Sequence, residues 1–275
     1  MEYLIQDTTL TGIADAIRAK TGGSARIQTT DMAAQIEAIP TGGGADPWDE
    51  EPPEDGKTRL YIKTMDDNME IPVSVWIVSG TVTIDWGDGS APGSLTEATY
   101  GGELHTYASA GKYIITISVS DGGGYTLGVE DHGQPLVGAA TSDRANRALK
   151  RLYVGDGCQG NYNYALWNSY CLEKLVLHPA QGTSIPSETC AYCYGLLEAD
   201  IGDSVTSIGS MAFFWCSSLS ALHMRTATPP TLGDEDALDG IPEDCIIYVP
   251  AGSLAAYQGA TNWSIYASQM QEETT

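Results

Sequence analysis

With 275 residues, 42% hydrophobic and only 18% charged, the chain has apolar material for two or three domains, and its surface must be built from hydroxyls and amides more than from salt bridges. A formal net charge of −23, from 36 acidic against 13 basic residues, argues against a nucleic-acid partner, whose phosphates need Lys and Arg, and against docking on anionic lipid headgroups. No apolar run approaches the ~18 residues of a membrane span. The opening MEYLIQDTTLTGIADAIRAK lacks a basic stretch followed by an apolar one, so neither membrane insertion nor a secretory signal is expected. Fifteen Tyr and six Trp against two Phe give many side chains with an apolar body and a polar tip, which suits β-rich structure and half-wet contact surfaces.

Residues 1–40 read as two short helices. Leu10, Ile13, Ala14 and Ile17 fall at helical spacing, with Thr9 or Thr11 to cap the start and Gly22-Gly23 to end it. Met32, Ala33, Ile36 and Ile39 repeat the pattern between Thr29 or Thr30 and Pro40. Helices this short are marginal alone and need a partner: each other, another subunit or a particle surface. Residues 41–57, TGGGADPWDEEPPEDGK, read as an acidic Gly/Pro linker, in which Trp48 is unusual for a pure spacer.

Over 58–121 the runs TRLYIKTM, IPVSVWIVS, GTVTIDWGD and KYIITISVS are rich in Val, Ile, Thr and Tyr and are separated by turn residues, which predicts a β-sandwich. Residues 122–148 read as a Gly-rich bridge. Over 149–249 the chain repeats itself: LKRLYV at Leu149, LEKLVL at Leu172, LLEADI at Leu196 and LSALHM at Leu219 are separated by 23, 24 and 23 residues. IPSETCAYCYGL from Ile185 matches IGSMAFFWCSSL from Ile208 position by position. A fixed period in this range predicts a leucine-rich solenoid whose coils bury their apolar faces only by stacking. Residues 250–275 read as a final capping segment and tail. The fold class expected is therefore multidomain and mainly β: a helical pair, an immunoglobulin-like sandwich and a capped solenoid.

Three stretches resemble known families. IDWGDGS (84–90), then HTY (105–107) and AGKYIITIS (110–118), resemble a PKD-type immunoglobulin-like domain, with Trp86, Gly87, Asp88, Gly89, His105, Tyr107, Gly111 and Tyr113 matching its pattern. SVTSIGSMAFFWCSSLSALHM (204–224) is similar to BspA-type surface-antigen leucine-rich repeats, and TPPTLG (228–233) with IIYVPAGSLAAYQGATNWSIYA (246–267) resembles the cap that closes such arrays. The first repeat departs from the pattern, with GCQGNYNYALWNSY in place of S-V-T-x-I-G. TLTGIADAIRAKTGGSARIQTTDMAAQIEAI resembles an N-terminal segment of phage tail and minor structural proteins.

Each motif that could carry chemistry has a structural alternative. Cys190 and Cys193 form a C-x-x-C, yet Cys190 aligns with Phe213 and Cys193 with Cys216, which makes them inward positions packed as small hydrophobes. No second C-x-x-C completes a zinc site. Asp85 and Asp88 can be read as paired carboxylates or calcium ligands, but an Asp in such a turn bonds its own backbone. His105 reads as a satisfied structural histidine. Asp234, Glu235, Asp236 and Asp239 miss the EF-hand spacing and read as a solvated loop. No catalytic, cofactor-binding or metal-binding residue is therefore assigned.

The aromatic residues are the remaining candidates. Tyr153 belongs to the crowd around the first repeat, and Tyr162, Tyr164, Trp167, Tyr170, Tyr192, Tyr194 and Trp215 make a candidate ligand-contact surface, set against simple stacking between repeats. The resemblances imply a non-enzymatic virion structural protein of a bacteriophage, tail-associated as a fibre or baseplate component. It would be made in the host cytoplasm, homo-oligomeric with a trimer expected, and held to other virion proteins through residues 1–40. The solenoid would face a host-surface glycan or protein. A capsid-decorating head fibre, a bacterial surface adhesin, and a carbohydrate-active enzyme or an accessory module of one are the alternatives.

Overall fold

The computed structural model describes residues 48–96, 103–120, 122–128, 135–138, 144–161, 163–177 and 184–273. The helical pair expected over 1–40, the first part of the linker and Tyr162 lie outside them. The chain divides into one unit ending at Glu51 and a second from Pro52 onward, which is mainly β.

The second unit begins with strands whose buried positions alternate as period-2 sequences require. They are β1 (Thr58–Thr64), β2 (Met69–Val73), β3 (Val75–Ser79), β4 (Val82–Asp85), β5 (Gly93–Leu95), β6 (Glu103–Tyr107), β7 (Gly111–Val119) and β8 (Gly124–Leu127). The run IPVSVWIVS is split at Ser74, a buried residue whose N–H donates to the Leu136 carbonyl and whose carbonyl accepts from Gly128. Leu60, Ile62, Ile71, Val73, Ile84, Ile115, Ile117 and Leu127 are all fully buried in one apolar core.

The segment read as a bridge contributes to this architecture. Its residues 124–127 are β8, which pairs antiparallel with β3, and Val137 bridges Val73. β10 (Cys158–Asn161) then adds to β8 in parallel.

Beyond the bridge the strands β9 (Leu149–Val154), β11 (Lys174–Leu177), β13 (Glu198–Ile201), β15 (Ala221–Met224) and β17 (Ile246–Val249) form a parallel ladder. Arg151, Lys174, Glu198, Ala221 and Ile246 stand side by side, at steps of 23, 24, 23 and 25 residues. The spatial register therefore equals the sequence period. A second, shorter parallel ladder joins β12 (Ser184–Ile185), β14 (Ser207–Ile208) and β16 (Thr231–Leu232). The departure of the first coil from the repeat pattern has a physical reason: its β10 pairs with β8 of the sandwich-like part instead of with β12.

The two parts are not strung on a linker. β1 pairs antiparallel with β7 on one side and with β9 on the other, so, with a last strand β18 (Met270–Glu272), one ten-stranded sheet runs β18-β17-β15-β13-β11-β9-β1-β7-β4-β5 among the described residues. The open apolar edge of a stacked ladder must be covered; here β1 covers it. The other end is closed by helix α1 (Leu254–Gly259), a 3-10 turn at Trp263–Gln269 and β18 (Met270–Glu272). Trp263 and Tyr257 are fully buried there, and their polar tips donate to the carbonyls of Pro230 and Thr226. Burial of aromatic rings on this scale contributes roughly 2–3 kcal/mol each.

Candidate functional site

In every coil of the ladder a chain of tight turns connects the short strand to the next long one. Its backbone N–H groups donate to the neighbouring coil: Asn168 to Ala191, Tyr192 to Phe214 and Trp215 to Asp239. Two positions per turn segment lie in the left-handed region: Tyr164 (φ 67°), Glu188 (56°) and Met211 (54°) at the first, and Asn168 (59°), Tyr192 (62°), Trp215 (56°) and Gly240 (81°) at the second. The steps of 24, 23 and 25 residues follow the strand register. Asn and Gly adopt this conformation readily, whereas a bulky side chain costs about 1 kcal/mol there. At the second position the first and last coils use the easy residues and the two central coils carry Tyr and Trp, while at the first position Tyr164, Glu188 and Met211 all take the strain.

These turns assemble the aromatic residues into one strip. Tyr164 meets Trp167 edge-on at 6.1 Å, and Trp167 meets Tyr192 at 6.5 Å. Tyr192 touches Tyr194 at 6.1 Å and Phe214 at 5.6 Å, and Phe214 lies 6.4 Å from Trp215. Tyr170 and Tyr194 are nearly parallel, 6° apart in plane with centroids at 5.9 Å, and the Arg147 guanidinium sits 5.5 Å from the Tyr170 ring centre. Trp215 and Tyr194 are 49% and 40% exposed, which leaves ring faces open to solvent; the others are half-buried. Glu188 accepts from the Tyr164 hydroxyl at 3.2 Å, and its charge pushes that phenol above its ordinary value. The buried Trp167 Nε1 has no acceptor among the described residues.

Six of the seven candidate residues, Tyr164, Trp167, Tyr170, Tyr192, Tyr194 and Trp215, are thus brought together, and Tyr162 lies outside the described residues. Tyr153 belongs elsewhere: it is buried on β9, 5.5 Å from Tyr61, with the Lys174 ammonium 5.9 Å from its ring centre. Phe214 and Arg147 were missed by sequence reasoning. The 23-residue offset that aligns Ala191 with Phe214 was the signal for Phe214; nothing local marks Arg147.

The other candidates have structural partners. Asp85 Oδ1 accepts from the Gly87 N–H and Asp88 Oδ1 from the Ser90 N–H, each at 3.0 Å, which shapes the W-G-D-G turn. His105 Nε2 lies 2.7 Å from Asp88 Oδ2 and its ring stacks on Trp86 at 4.7 Å, while the Tyr107 hydroxyl donates to the Trp86 carbonyl. Burial alone would raise the Asp88 carboxyl, but the hydrogen bonds from Ser90 and His105 overcome it and bring the group to about 2. Gly87 (φ 74°) leaves no room for a side chain against the Ile114 carbonyl.

Cys190, Cys193 and Cys216 are fully buried free thiols, and burial pushes Cys193 up to about 12. Such thiols are poor nucleophiles and poor metal ligands. Asp234 caps the 3-10 turn Glu235–Leu238 through the Asp236 N–H. Among the described residues no group of three His, Cys, Asp or Glu side chains converges as a metal site.

Two further surfaces are polar. On the outer side of the ladder Arg225 is bidentate to Asp200 at 2.8 and 2.6 Å and also pairs with Glu273, which holds His223 at 3.0 Å. This network ties the end of the chain to the sheet. A concavity of about 360 Å³ beside Tyr125 is lined by Asp55, Lys57, Ser118, Ser120 and Asp156. Its charges are partly matched, with Lys57 3.8 Å from Asp55. Compared with family models, with curated proteins and with solved structures, the chain gives no match.

Proposed function

We propose that this chain is a non-enzymatic structural and binding protein of a bacteriophage particle, carried on the tail, in which a PKD-type sandwich and a BspA-type leucine-rich solenoid form one arm. The observation that carries the reading is the aromatic strip on a repeat ladder: exposed rings held by stacked coils form a contact surface. The finer fold names are supported by the W-G-D-G turn with its Asp88–His105 pair and by coils that recur every 23 to 25 residues. The placement on a virion is supported by the resemblance of residues 9–39 to the N-terminal segment of phage tail proteins. In this reading residues 1–40 assemble the protein or fix it to other virion proteins, and the solenoid faces the host.

Light scattering of the full chain against a chain beginning at Pro52 tests the proposal. The expected result is an oligomer, a trimer in the simplest case, that becomes monomeric on truncation. Two monomers would sink the assembly role and favour a surface adhesin.

A further inference from the structure

The strip's position and its surroundings together indicate a ligand class. At one register position the four coils hold Asn168, Tyr192, Trp215 and Gly240 in the left-handed conformation. Tyr164, Glu188 and Met211 are left-handed at the other position of the same turns, so what sets Tyr192 and Trp215 apart is that they carry their rings into the strip. Gly240 adds to this: its backbone packs against the Trp215 ring, so that any side chain at 240 would press on the indole.

The surroundings are as informative. Although the chain carries 36 acidic residues, the turn segments 163–172, 186–197 and 209–219 contain a single charged side chain, Glu188. The polar residues of these segments are otherwise hydroxyls and amides, among them Asn163, Asn168, Ser187, Ser210, Ser217 and Ser218, with the Arg147 guanidinium at the Tyr170 ring and the acidic turn 234–239 in the coil next to Trp215. An acidic ligand would be repelled by the protein as a whole, and a strongly basic one would find few partners here. The strip is also narrow. Adjacent coils are about 4.8 Å apart, so the three coils that carry it span roughly 10 Å, whereas a protein partner of ordinary size covers about 800 Å². Tyr194, Trp215 and Leu197 are the only large apolar residues exposed in these coils among the described residues.

We propose that the strip built from Tyr170, Tyr194, Tyr192 and Trp215 binds an uncharged polysaccharide, laid across the coils with the apolar C–H faces of its sugars on the rings and its hydroxyls on the Ser, Asn and Tyr rim. The advance from coil to coil is close to that of one hexose in an extended chain, so successive sugars meet successive coils. The inference rests on the reading of the ladder as an outward contact surface, and it names the chemistry of what is contacted.

Affinity electrophoresis of the full chain in native gels containing mixed-linkage β-glucan or galactomannan, with alginate as the acidic comparison, tests it. The expected result is retardation by at least one neutral polymer and not by alginate. Trp215→Asn and Tyr194→Ser should weaken the interaction at least 10-fold, while Tyr248→Ser, on the sheet face, leaves it unchanged. Trp215→Asn should melt at the same temperature as the parent or higher, because Asn suits the left-handed position. No retardation by either neutral polymer overturns the proposal and leaves a protein as the occupant. Retardation indifferent to both strip variants, or a clearly lower melting temperature for Trp215→Asn, makes the rings packing elements and overturns it equally. A chain that is oligomeric but not retarded loses only the glycan; one that is retarded but monomeric loses only the assembly role.

Discussion

Thr58 is the point where the two halves of the sheet are joined. It lies on β1 with no exposed surface, and its Oγ1 accepts from the Tyr125 hydroxyl of β8 at 2.5 Å and from the Gly155 N–H, just past β9, at 2.8 Å. Thr58→Val keeps the shape and removes the acceptor. Two buried donors then lose their partner, at about 1–3 kcal/mol each. The phenol can rotate and recover part of its loss, so the net cost is about 2–4 kcal/mol. For a domain of this size each kcal/mol lowers the melting temperature by about 2–4 °C, which gives a drop of roughly 5–15 °C. Because β1 is hydrogen-bonded to both β7 and β9, the loss should appear in one cooperative transition, whether followed by tryptophan fluorescence or by far-ultraviolet circular dichroism. Thr58→Ser, which keeps the hydroxyl, should lose much less. Two separate transitions with only one displaced, or a drop below about 1 °C, would refute the claim that β1 welds the sandwich-like part to the ladder.

Two other outcomes follow from the titrating groups. Asp88 sits near 2 in the folded chain against an ordinary value of 3.8, so its contribution to stability is complete above about pH 4 and is lost as pH falls toward 2. Urea midpoints for the parent and Asp88→Asn should therefore differ at pH 5 and converge by pH 2, the difference being about 1 kcal/mol because solvent screens this exposed residue; a gap that does not narrow in acid would show that the carboxylate is not what His105 and Ser90 stabilise. The thiols of Cys190, Cys193 and Cys216 are raised by burial and have no exposed surface. Iodoacetamide at pH 8 should label them only at the rate of unfolding, as read by mass spectrometry of the peptides; rapid labelling of native protein would mean that the coils open locally.

The sequence alone determined what is local or periodic. The 23- and 24-residue spacing of Leu149, Leu172, Leu196 and Leu219 became the coil-to-coil register, because a stack of equivalent strands converts sequence period directly into hydrogen-bond register. The same alignment identified Cys190, Cys193, Phe213 and Cys216 as inward, and the turn chemistry of Asp85 and Asp88 was legible because an Asx bond spans only two residues. The candidate strip was half legible: the aromatic residues could be counted, but nothing in their spacing separated Tyr153, on a buried strand, from Tyr192, half-buried on a turn. Tertiary structure alone decided three things. It placed β1 between β7 and β9, a pairing of Arg59 with Tyr153 across 94 residues that no local pattern encodes. It turned part of a glycine-rich bridge into β8, a four-residue strand held by its pairing with β3 and β10. And it set Tyr192 and Trp215 in the left-handed region, a conformation that recurs at one register position from coil to coil and becomes visible only when the coils are stacked.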